Sequence, residues 1–374
     1  MKNFPALRTL ALFLFISAAS LHAAETPTIT ISKSDKLAIG ITGLAAADTK
    51  ILQNDLAMSG YFNIVPAAGA QFAVSRLGTV TERGGKTVLQ KEYGGSGRAA
   101  VHAFADDIVE TLTGNRGIAH TKIAFVATRT GRKEIYTADA DGSNVHQLTN
   151  DNNISVAPNL SPDGRNLVYT GYKSGYADVY EIALGSGARN RIIKFPGTNS
   201  GAAYSPDGGK IAVTLSKDGN PELYVTSSGG GGARRLTRTA GVESSPTWSP
   251  DGDEIIYSSD DRGTPQLYRI SSNGSAARLI STGHSYNTEP SWAPDGKKVA
   301  FNIRQGGGFS VAIHDLQGGS TRVLTGGQDP VWGADSRHLL VAEGGSLILL
   351  DAQTGQRTTL LSGLGKITEP TWSR

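Results

Sequence analysis

The sequence predicts an all-β six-bladed β-propeller, closed on its first blade by a C-terminal strand and preceded by a small α/β domain. Three observations predict it. One turn recurs at a fixed interval: "SPDG" stands at Pro162, Pro206 and Pro250 and "APDG" at Pro294, each proline 44 residues after the last. A bulky residue lies two positions before every one of these prolines. The chain also ends on "TEPTWSR", the opening phrase of a repeat whose remainder stands at the start of the array.

Ser, Pro, Asp and Gly in that order match the preferences of a type I turn: Pro presets φ, and the Asp carboxylate accepts from nearby backbone N–H groups. An apolar strand follows each turn: "NLVYT", "KIAVT", "EIIYS", "KVAFN", and "HLLVA" after a degenerate copy from Gly333. Gly-rich turns then lead to a third strand, such as "DVYEIAL" or "QLYRIS", and a short fourth, such as "RIIKF" or "ARLIS". Four short antiparallel strands per repeat make one propeller blade. The bulky series Leu160, Tyr204, Trp248, Trp292, Trp332 and Trp372 reads as packing between blades. Units start at Lys122, Ser155, Ser200, Glu243, Asn287 and Gln328, which gives six blades. The first lacks its inner strand, and Ile367 to Ser373 supplies it, removing a free sheet edge.

The domains read as 1–24 signal peptide, 25–116 α/β domain and 117–374 propeller. Lys2, Arg8, the apolar run "LALFLFI" and the small residues after it form a secretory signal, too short to span a bilayer, with cleavage expected just before Glu25. "LAIGITGL" reads as a buried strand. "DTKILQNDLAMSG" reads as a helix with Ile51, Leu52, Leu56 and Met58 inward, ending near Gly60, followed by a strand from Phe62 to Val65. "FAVSRL" and "TVLQKEY" read as a hairpin around "ERGG". "RAAVHAFADDIVETLTG" reads as a second helix with Val101, Phe104, Ile108, Val109 and Leu112 inward and Gly114 as its stop.

The formal net charge is +3 and falls to +1 when Lys2 and Arg8 leave with the signal. No clustered basic stripe speaks for nucleic acid. The absence of cysteine excludes catalytic thiols, Cys-ligated metals and a lipid anchor. There is no G-x-S-x-G elbow and no P-loop, and the histidines show no zinc spacing. Asp163, Asp207, Asp251 and Asp295 belong to structural turns of separate blades, so no catalytic, cofactor or metal residues are expected. The residues themselves leave open a periplasmic ligand- or carbohydrate-binding propeller and a non-catalytic relative of propeller-containing peptidases.

"SPTWSPDGDEIIYSSDDRGTPQLYRISSNG", "SGYFNIVP", "FADDIVETLTGNRGIAHTKIAFV" and the closing "TEPTWSR" resemble the TolB family, periplasmic components of the Tol-Pal system of Gram-negative bacteria. The resemblance covers essentially the whole mature chain. It departs between Val65 and Phe72, where the family has a longer stretch and this chain has only "PAAGAQ". It implies a non-enzymatic, monomeric periplasmic protein without cofactor or membrane insertion. Such a protein links the inner-membrane Tol proteins to the peptidoglycan-associated lipoprotein Pal, in support of outer-membrane integrity and of envelope constriction at cell division. A TolA-like partner would meet the N-terminal arm at Glu25, Thr26, Thr28, Thr30 and Ser32. A Pal-like partner would meet the propeller rim at Thr198, Asn199, Gly201, Glu243, Ser244, Thr288, Glu289, Thr368 and Glu369.

Overall fold

The structure, a computed structural model, describes residues 36–94 and 97–373. The signal segment and the arm residues Glu25, Thr26, Thr28, Thr30 and Ser32 lie outside the described residues.

The α/β unit is a five-stranded sheet packed on two helices. Strand β1 (Leu37–Ile41) pairs in parallel with β2 (Phe62–Ile64) on one side and β3 (Phe72–Arg76) on the other. Strands β4 (Thr79–Glu82) and β5 (Thr87–Gln90) extend the sheet beyond β3. This corrects the expected hairpin. "TVTE" is a strand of its own, so β3 turns into β4 at Leu77 and Gly78, and "ERGG" joins β4 to β5. The four-residue strand is too short for alternation to announce it. "PAAGAQ" forms a single 3₁₀ turn at Ala67–Gly69.

Helix α1 (Ala46–Met58) buries Leu52 and Leu56, while Ile51 and Met58 are half-buried. Helix α2 (Arg98–Thr113) buries Val101, Phe104, Ile108, Val109 and Leu112. It stops at Gly114, whose φ of 68° is left-handed and whose N–H closes on the Glu110 carbonyl at 2.8 Å. Asp106 of α2 accepts the backbone N–H groups of Ala119 (2.7 Å) and His120 (2.9 Å), which fastens the linker to the helix.

Beyond the linker stand six four-stranded antiparallel sheets. Strands within a blade are lettered A to D from the innermost outward. The A strands of blades 2 to 6 are Ser155–Leu160, Asn199–Tyr204, Glu243–Trp248, Asn287–Trp292 and Gln328–Trp332. In blade 1, B and C are Lys122–Ala127 and Glu134–Asp139, and A is Ile367–Trp372. That closing strand pairs Thr371 with Ala124 and Trp372 with Ile123. Lys122 and Ser373 exchange two hydrogen bonds of 2.8 and 2.9 Å, and the Trp372 indole donates to Thr121 Oγ1 at 2.6 Å. The first blade is thereby completed to four strands like the other five.

The expected turn chemistry is present. Asp163 Oδ1 accepts from the Ser161 hydroxyl (2.6 Å) and from Arg165 N (3.0 Å), and the pattern repeats at Asp207 and Asp251. The bulky series packs between blades: Trp248, Trp292, Trp332 and Trp372 are 2–4% exposed. The core around Trp248, for example, joins Leu223 and Val225 of blade 3 to Tyr257 and Ile270 of blade 4. Each such side chain contributes on the order of 2–3 kcal/mol by leaving water.

Candidate partner-binding channel

The A strands converge on the propeller axis, and each carries a register break against its B strand. At each break one residue has positive φ: Ala157 (49°), Gly201 (62°), Ser245 (52°), Glu289 (49°), Asp329 (54°) and Glu369 (52°). These six bulge residues all line a central cavity of about 420 Å³. The bulge inserts an extra residue and turns it out of the pleat, here toward the axis. In five blades the next residue is proline, which limits the bulge residue's backbone further.

Blades 5, 6 and 1 place the carboxylates Glu289, Asp329 and Glu369 there, whereas blades 2 to 4 place Ala157, Gly201 and Ser245. The channel thus has an acidic half and a small-residue half. Glu369 N donates to Asp329 Oδ2 at 2.9 Å, and Ala157 N donates to Glu369 Oε2 at 2.7 Å, so the carboxylates also tie neighbouring blades together. Lys133 Nζ stands 3.4 Å from Glu369 Oε1. The Glu289 carboxyl is open to channel water yet ringed by protein. That desolvation, then the charges of Asp329 and Glu369, push it up to about 7, against a hydrogen bond to Ser245. Prolines and Trp248, Trp332 and Trp372 form much of the remaining wall, and no histidine is among the residues lining the cavity. This lining offers hydrogen-bond acceptors, negative charge and apolar walls. It suits a docked segment rich in donors.

The strands alternate in direction, so the face where the A strands begin also carries the B–C hairpin tips. Exposed apolar side chains stand on that face: Tyr176 (74% exposed), Ile154, Val242 and Phe309. The α/β unit contacts the opposite face, where Arg337 in the turn after strand A of blade 6 reaches the Gly60 carbonyl.

The structure divides the nine residues expected at the rim. Gly201, Glu289 and Glu369 are bulge residues and line the channel. Thr198 is exposed on the loop before strand A, and Ser244 and Thr288 are half-buried beside their bulges. Thr368 also lines the cavity but is only 5% exposed. Asn199 and Glu243 are corrections: both are fully buried, two residues before the bulge. Asn199 spans Phe195, Ala177 and Asp178 with hydrogen bonds, and Glu243 faces Thr239 and Ser259. They stand in the wall that holds the rim. Gly201 is the third residue of its strand. Sequence reading missed Ala157, Ser245 and Asp329. The residue before proline is the signal that marks them, in "SPTW" and "DPVW" for Ser245 and Asp329 and in "APNL" for Ala157.

A family model described as the TolB beta propeller domain matches residues 109–374. The chain belongs to the TolB propeller family. The TolB homolog of Chlorobaculum tepidum is 36% identical over 191 residues, 40% of this chain and 44% of that protein. The Tol-Pal system protein TolB of Legionella pneumophila (strain Corby) is 30% identical over 231 residues, 51% of this chain and 55% of that protein. The matches span about half the length of these curated TolB relatives. The crystal structure of TolB from Acinetobacter baumannii superposes with a TM-score of 0.80 at 24% identity, covering 91% of this chain and 97% of that one. That likeness establishes the shared fold: a TolB-type propeller with its α/β unit.

Proposed function

We propose that this chain is a periplasmic, non-enzymatic component of a Tol-Pal system that holds a Pal-like lipoprotein at the channel mouth. Its N-terminal arm then meets a TolA-like inner-membrane protein, so that the chain links the two membranes of the envelope. The observation that carries the reading is the ring of six bulge residues, with carboxylates on Glu289, Asp329 and Glu369, opening on a face that also exposes Tyr176 and Phe309. Exposed apolar side chains around a polar, acceptor-lined centre are the makings of a protein-binding surface. The relatives named for the Tol-Pal system support the same assignment.

Ser245→Trp tests it. Ser245 lines the channel and is half-buried, so a bulky side chain there obstructs the lumen. Calorimetric titration with the soluble domain of a Pal-like lipoprotein should show affinity lowered roughly thirtyfold or more, as for a central contact worth about 2 kcal/mol. Equal binding by wild type and Ser245→Trp, with both folded, places the partner elsewhere. Saturable binding of a glycan, with none of the lipoprotein, favours a carbohydrate-binding propeller instead.

A further inference from the structure

A second constellation lies where the α/β unit meets blade 1. Asp55 comes from α1, His102 from α2, and Asp141 from the turn after strand C of blade 1. A donor atom of each lies within 4.8 Å of the other two. Asp55 and His102 are each only 3% exposed. His102 Nδ1 meets Asp55 Oδ2 at 2.7 Å. Asp55 Oδ1 and His102 Nε2 are both buried without a hydrogen-bond partner. Asp141 Oδ1 accepts from the backbone N–H (3.0 Å) and hydroxyl (2.6 Å) of Ser143, and its Oδ2 meets the Arg98 guanidinium.

The surroundings are short of positive charge. Asp55, Asp106, Asp139 and Asp141 interact with His102, and Arg98 and Lys122 are the cations paired within this group. Burial, joined by the charge of Asp55, pushes the Asp106 carboxyl up to about 6 despite two backbone N–H donors. Asp55 Oδ1 is buried with no donor, and an unsatisfied buried polar atom is costly. A cation bound on the Nδ1 side of the imidazole, where Asp55 stands, offsets the negative charge and gives Asp55 Oδ1 a partner.

We propose that Asp55, His102 and Asp141 form a binding site for a divalent transition metal ion of the zinc class, which fastens the α/β unit to the propeller. One imidazole and two carboxylates suit zinc and its first-row neighbours, whereas calcium and magnesium favour all-oxygen sets. Three protein ligands leave a tetrahedral position for water. The ligands arise from three separate elements, so binding couples their relative placement to the metal. No sequence spacing announces the set.

The test uses the full chain after chelation and dialysis, titrated with zinc chloride by calorimetry and with cobalt chloride by visible absorption. One metal per chain is expected, with a cobalt ligand-field band and a melting temperature that rises with added zinc. His102→Gln and Asp141→Asn should each weaken zinc binding about a hundredfold and abolish the thermal shift. Limited proteolysis at the 115–121 linker should slow with zinc in wild type alone. Should His102→Gln fail to fold, Asp141→Asn, in a surface turn, decides by itself. Absence of saturable one-to-one binding overturns the proposal, as does binding that both folded variants retain at wild-type affinity.

Discussion

The guanidinium of Arg337 lies over the ring of Tyr61, 4.2 Å from its centroid, and joins the propeller to the α/β unit. The same group pairs with Asp351 at 2.6 Å and reaches the Gly60 carbonyl at 3.4 Å. Arg337 belongs to the degenerate turn "GADSR", the copy that departs from "SPDG". The departure has a cause: this turn docks against the α/β unit, so its residues answer to Tyr61 and Gly60 rather than to solvent. A Cβ on Gly60 would stand 2.5 Å from Arg337 Nη2, which explains a glycine there beyond its φ of 75°.

Arg337→Ala should destabilise the protein by about 3–5 kcal/mol, since it leaves the Asp351 carboxylate buried and unpaired. Burial works against ionisation of Asp351, but Arg337 outweighs it and holds the carboxyl down at about 2. The depressed pKa means that this stability is present above the ordinary value near 3.8 and is lost as pH falls toward 2. Denaturant titrations at pH 7 and pH 3 should therefore show the wild-type advantage over Arg337→Ala shrinking at the lower pH. Arg337→Lys should recover only part of it, because an ammonium lacks the planar face and fork.

Removing Thr368 to Arg374 should lower the melting temperature far more than the loss of seven surface residues does. It deletes strand A of blade 1, uncovers Ile123 and Ala124, and leaves strand B of that blade with an unpaired edge. Calorimetry of the truncated chain checks this. An unchanged transition would mean that the ring does not depend on its closing strand.

Glu243→Gln should change how stability depends on pH. Glu243 and Glu222 are both fully buried, and each leaves Oε2 without a donor. Burial and the neighbouring Glu222 carboxylate raise Glu243. Burial also works on Glu222, but hydrogen bonds from Thr237, Arg235 and Thr239 hold it below the usual range. The folded state therefore keeps a proton that the unfolded chain releases near pH 4.5, and stability falls as pH rises from there toward about 7. The amide needs no proton, so the variant should lose that slope and exceed wild type at pH 8 by about 1–3 kcal/mol. Identical pH profiles of the unfolding midpoint would count against the shared proton.

Gly117→Ala should destabilise by about 1–3 kcal/mol. Its Cβ would stand 2.1 Å from Asp106 Oδ1 and 2.5 Å from Asp106 Cα, so the linker must leave the helix that anchors it. Faster hydrogen exchange at Ala119 and His120, whose N–H groups bond Asp106, is the direct readout.

The repeats were legible because they are local. The turn residues hydrogen-bond within five positions of one another, as Ser161, Asp163 and Asn166 do, and the strands advertise their burial by composition. Ring closure was legible too, since a repeat missing its first strand and a terminus carrying it leave one arrangement that completes the blade. The strand "TVTE" was not, because four residues show too little period. Alternation could not have excluded Asn199 and Glu243 from the rim, because they stand two residues before Gly201 and Ser245 and only the bulge separates them, whereas the recurring residue before proline could have added Asp329 and Ser245. What the sequence could not disclose is which copies differ for a reason outside the repeat. The acidic half of the channel and the pairing of Arg337 with Tyr61 depend on residues brought together from remote parts of the chain. So does the meeting of Asp55, His102 and Asp141, because only the docking of the α/β unit on blades 6 and 1 sets those distances.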